Sequence, residues 1–60
     1  MFRCYFSRPH QEAVALDLDV LTIDAAIVAA SRILADHLDP RDFSGIEVWR
    51  DQTLLCKSAV

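Results

Sequence analysis

The sequence predicts an α+β domain, a ββαββ chain whose four-stranded antiparallel sheet carries one helix packed on one face. Three observations lead there. Two stretches near the start alternate apolar and polar residues with the two-residue period of a half-buried strand. Residues 23–38 switch to the helical period, and a second pair of alternating segments follows Pro40.

The first stretch, residues 2–7, points Phe2, Cys4 and Phe6 one way and Arg3, Tyr5 and Ser7 the other. Arg8-Pro9-His10-Gln11 then reads as a loop, since Pro9 removes a ladder donor and suits a turn. Residues 12–18 alternate again, with Val14, Leu16 and Leu18 on one face and Ala13, Ala15 and Asp17 on the other. The two strands form a predicted hairpin.

The spacing predicts a helix over residues 23–38, with Thr22 as its cap and Asp24 near the positive end of its dipole. Ile23, Ala26, Ile27, Ala30, Ile33, Leu34 and Leu38 fall within an arc of about 140° and form the inward stripe. Alanines at 25, 26, 29, 30 and 35 raise helix propensity and allow a close approach to the sheet. Pro40 ends the element, because the residue before a proline is pushed out of the α region. Residues 41–44 form a short connection in which Phe43 is expected to cover one end of the core.

Gly45 opens the third strand, residues 46–49, and Arg50-Asp51-Gln52-Thr53 supplies a tight turn into residues 54–57. With Asp51 and Gln52 as the loop, Trp49 sits opposite Leu54 and Val48 opposite Leu55. The predicted inner face is then Phe2, Cys4, Phe6, Val14, Leu16, Leu18, Ile46, Val48 and Leu55 under the helix.

Composition narrows the function. Sixty residues leave room for one domain, residues 1–60, close to the size below which a hydrophobic core struggles to hold a fold. An apolar fraction of 53% with 25% charged residues argues against disorder. The longest apolar run, residues 25–30, is far short of the roughly 20 residues that cross a bilayer. Arg3 and Arg8 break up any signal-like apolar stretch at the start, so we expect a cytoplasmic product that does not engage membranes. The net charge is −3 and the six cations stand singly, without the cluster that phosphate contact demands; we expect no nucleic-acid binding.

Catalysis and metal binding find little support. Cys4, Cys56, His10 and His37 are ligand types for zinc, but none forms a closely spaced pair. On the predicted registers Cys4 faces the helix and Cys56 faces away, so the two stay reduced and apart. Neither histidine can be placed beside a nucleophile, and we read His37 as half-buried beside the apolar arc. The acids at 17, 19, 24, 36, 39 and 42 lack the central Gly and closing Glu of a calcium loop and read as a solvated face. We expect no enzyme activity, no cofactor and no metal.

The open side of the sheet is different. A helix covering one face leaves the other in water, where antiparallel sheets are normally polar. Here that side holds the chain's one Trp and one Tyr: Tyr5, Trp49 and Leu54, flanked by Arg3, Glu47 and Lys57. Exposed aromatics with a charged rim mark an interface. We therefore take Tyr5, Trp49, Leu54, Arg3 and Glu47 as candidate interface residues. The expected function is a protein-interaction module that forms a homodimer through this face or a strand edge. The alternative is a small regulatory or antitoxin-like protein that binds an unidentified heterologous protein partner.

Arg3-Cys4-Tyr5-Phe6, the alanine-rich helix and Phe43-Ser44-Gly45-Ile46-Glu47-Val48-Trp49 resemble a family of short uncharacterised bacterial proteins, a domain of unknown function. The resemblance covers nearly the whole chain and includes Tyr5, Glu47 and Trp49; it implies a bacterial source and supplies no catalytic or binding residue. Pro9 and His10 stand where such proteins often have glycines. A coarser likeness, of architecture only, is to HicB-type antitoxins, whose small partial ribonuclease-H-like domain also runs strands, helix, strand, with Asp24-Ala25-Ala26 in the place of their central helix. Their usual second, DNA-binding segment has no counterpart in this sequence.

Overall fold

The computed structural model describes residues 1–60. Its elements run β1 (Phe2–Arg8), β2 (Gln11–Leu18), α1 (Ile23–His37), a 3₁₀ turn (Pro40–Asp42), β3 (Gly45–Arg50) and β4 (Thr53–Ala59). The predicted ββαββ order is therefore correct. All neighbouring strands are antiparallel, in the sheet order β2-β1-β3-β4, so the two hairpins meet along β1 and β3. The helix lies over that central pair, against β1 and β3.

Local chemistry sets the ends of each element. The Ala25 N–H donates to Thr22 Oγ1 at 3.1 Å, which is the predicted cap. The helix stops one residue sooner than expected, with Leu38 already extended, and Asp39 stays extended ahead of Pro40. Both hairpin loops have two residues, Pro9-His10 and Asp51-Gln52. The first loop is shorter than the sequence suggests because His10 adopts the left-handed conformation, φ 62°. Asp51 does the same at φ 54°. Such backbone is uncommon outside glycine, but Asp and His are among the side chains that tolerate it best.

The core is a thin layer between helix and sheet. Phe2, Cys4 and Phe6 from β1, Leu18 from β2, Val48 from β3 and Ala26, Ala30 and Leu34 from α1 are buried. The helix presents alanines at its two closest points, and small side chains there let its axis approach β1 and β3. Phe43 covers one end as expected, its ring edge-on to Phe6 with centroids 6.1 Å apart. Gly45 permits another close approach: a Cβ there would sit 3.1 Å from the Ser58 carbonyl oxygen.

Several expectations about facing are corrected. Trp49 does lie opposite Leu54, but Val48 pairs with Cys56 instead of Leu55, because a bulge inserts one residue into β4 between these pairs. Leu55 leaves the inner face and is 44% exposed. Cys56 turns inward and packs at the border of the core, so both cysteines face the helix side, with Val48 between them in the sheet. Both remain free thiols. Leu16 points to the helix side as predicted, yet it is 38% exposed, since α1 covers the centre of the sheet and leaves the β2 edge bare. His37 is exposed and not half-buried.

Candidate interaction face

The registers lay the open face out as rows across the four strands. One row runs Asp17, Arg3, Trp49, Leu54 from β2 to β4, and the next runs Ala15, Tyr5, Glu47, Lys57. Beyond Tyr5 come Ser7 on β1, Gly45 on β3 and Ala59 on β4, so one end of the face is built of small residues. All five residues that the sequence nominates, Tyr5, Trp49, Leu54, Arg3 and Glu47, sit in the two central rows.

Tyr5 and Trp49 are diagonal neighbours on β1 and β3. Their rings meet edge to face, with centroids 6.1 Å apart and planes inclined at 77°. Such a pair contributes about 0.5–1.5 kcal/mol beyond area burial, which fixes both rings in place. Both residues are half-buried by their own protomer, while Leu54 remains 42% exposed beside them. The indole Nε1–H donates to Glu47 Oε1 at 3.0 Å. The other carboxylate oxygen of Glu47 lies 3.8 Å from Lys57 Nζ.

At the opposite margin Arg3 Nε donates to Asp17 Oδ1 at 2.7 Å. That hydrogen bond holds the Asp17 carboxyl below its ordinary range and raises the guanidinium above its own. Both groups are exposed, so the pair adds little to stability and acts mainly to position charge. The sequence places Lys57 on this face but groups Asp17 with solvated acids. The signal for Asp17 is its alternation out of phase with Val14, Leu16 and Leu18; only the β1–β2 register sets it opposite Arg3.

Electrostatically the face is balanced. Arg3 and Lys57 offset Asp17 and Glu47, so the chain's net charge of −3 is carried elsewhere. The Trp49 donor is already satisfied within the protomer, so covering the face leaves no indole N–H unpaired. Aromatic centre, satisfied donor and neutral mixed-charge margins together make a surface that can lose water at low cost.

Nothing comparable gathers elsewhere. No three His, Cys, Asp or Glu side chains come together in the geometry of a metal site. Ile27, Ser31, Ile46, Val48, Cys56 and Ser58 line an apolar recess of about 100 Å³ between α1 and the β3–β4 hairpin. It is well below the roughly 300 Å³ at which small-molecule sites begin; three surface hollows of about 330–430 Å³ are larger, but they are open and lined mostly by polar residues, one of them by Met1, Arg3, Asp17, Asp51 and Gln52. No helix is long and apolar enough to cross a membrane. No family model matches the chain, and neither a curated protein nor a solved structure does.

Proposed function

We propose that this chain is a non-catalytic protein-interaction module that self-associates through the open sheet face, with Tyr5, Trp49 and Leu54 at the centre of the contact and Arg3 and Glu47 at its margin. The observation that carries the reading is the Tyr5–Trp49 pair, held on the side of the sheet without a helix and with its indole donor already bonded to Glu47. A second copy suits this face because the face is electrically neutral. Two surfaces that each carry paired charges of both signs meet without the like-charge repulsion that the remaining net charge would impose elsewhere. Symmetric pairing through one self-complementary patch is also the commonest way for soluble chains to assemble.

Sedimentation or light scattering at micromolar concentration tests this. The wild-type protein is expected as an assembly of more than one chain, and Trp49→Ser is expected to halve its mass while the far-ultraviolet dichroism stays unchanged. A wild-type protein that remains a single chain at every concentration, or a folded Trp49→Ser variant of unchanged mass, overturns the proposal. A single chain that captures another protein through Trp49 would shift the reading to a regulatory, antitoxin-like role.

A further inference from the structure

We infer that Glu47 is the positioning residue of the open face, its carboxylate holding the Trp49 indole against Tyr5 before a partner arrives. The pose itself lies within one protomer; its benefit to assembly rests on the self-association proposed above. Glu47 and Trp49 are two residues apart on β3, so both project from the same side of the sheet. The indole Nε1–H donates to Glu47 Oε1 at 3.0 Å, and Oε2 lies 3.8 Å from Lys57 Nζ, the neighbour of Glu47 on β4. On β1 its neighbour is Tyr5, whose ring meets the indole edge to face. The bond therefore draws the indole along β3 toward the row that holds Tyr5.

Packing alone does not dictate this pose. Directly beside Trp49 stand Arg3 on β1 and Leu54 on β4, and an indole turned over either one leaves Tyr5. The hydrogen bond selects among these rotamers, and with an ionised acceptor it is roughly twice as strong as a neutral one. The other acid of the face does not compete: Asp17 stands two strands from Trp49 and is engaged by Arg3 at 2.7 Å. Glu47 needs the donor in turn. At 24% exposure its side chain is the most covered of the four ion-paired carboxylates, and a carboxylate removed from water requires partners.

A side chain already fixed in its bound pose loses less rotamer freedom when a partner covers it. Trp49 is the largest side chain of the face, so fixing it raises affinity although Glu47 adds no apolar area of its own. Without the carboxylate the ring is released to its other rotamers. Its N–H then has to find a new acceptor once water leaves the contact.

The chain's one Trp gives a single indole N–H signal in a nitrogen–proton correlation spectrum, which reads the pose at a concentration where the protein is a single chain. Glu47→Ala is expected to speed solvent exchange of that proton about tenfold and to remove its nuclear Overhauser contact with the Tyr5 ring, the far-ultraviolet dichroism staying unchanged. Glu47→Gln keeps an acceptor and is expected to restore both signals. In sedimentation Glu47→Ala is expected to weaken assembly about tenfold, although Tyr5, Trp49 and Leu54 all remain, and Glu47→Gln to recover most of the loss. An indole that keeps its Tyr5 contact in Glu47→Ala overturns the positioning role. A freed indole with assembly unchanged overturns its bearing on association. If Glu47→Ala fails to fold, the wild-type indole decides, and exchange as fast as that of free tryptophan overturns the bond. Wild-type protein that never associates removes the open-face contact and the role in assembly with it, while the indole signal still tells whether Glu47 sets the ring.

Discussion

Cys4 has no exposed surface, and burial pushes its thiol above the ordinary cysteine range. Cys56 lies in the same row of the sheet, across Val48, and is only half-covered at the mouth of the recess beside α1. A thiolate is the reactive form, so position and burial both make Cys4 the slower residue. A chromogenic thiol reagent is expected to modify Cys56 alone in the native protein and both cysteines after denaturation. Two fast equivalents under native conditions would show that the β1–α1 interface opens freely. The inward turn of Cys56 could not be read from the sequence. Strict alternation sends residue 56 outward, and only the extra residue at Leu54–Leu55 reverses it. Arg3 and Asp17 tell the same story from the other face: each one's side was legible, but the two-residue loop alone would set Arg3 opposite Leu16, and a one-residue shift in β2 opposite Ser7 brings Asp17 there instead.

At the scale of elements the helix carries the fold. Ala26, Ala30 and Leu34 repeat every four residues along the line that meets β1 and β3, and Leu34 is the one large side chain of α1 that is fully inside. Burying a leucine of that kind contributes about 1.5–3 kcal/mol, and replacing it with a carboxylate adds the cost of an unpaired buried charge. With native stability commonly about 5–15 kcal/mol and lowest in short chains, Leu34→Asp is expected to abolish the cooperative thermal transition seen by circular dichroism. A transition near the wild-type temperature would mean that the helix packs by another face. This element was the most legible in the sequence because its cap, its period and its terminating proline agree. The predicted stripe was nevertheless too wide. Ile27 and Leu16 sit at the rims of a sheet broader than one helix can cover, and residue periodicity carries no information about how far a neighbouring element reaches.

The whole molecule is a thin sandwich: eight of its 60 residues are buried, and every one of them lies between α1 and the sheet. Leu54, Leu55 and Leu16 are left partly in water, at the open face and at the β2 edge. On the proposed self-association, a contact at the open face adds apolar burial that the isolated chain lacks and links folding to assembly. For linked dissociation and unfolding, raising concentration roughly a hundredfold shifts the balance by about 2.7 kcal/mol per pair of chains (RT ln 100). In a domain this short, where 1 kcal/mol moves the midpoint by roughly 4–8 °C, the melting temperature should climb by on the order of 10 °C across that range. Trp49→Ser should remove the dependence. Calorimetry at the two extremes measures this directly. A midpoint that ignores concentration would mean that the thin core is sufficient alone, and would leave the aromatic pair to stabilise the β1–β3 seam and nothing more.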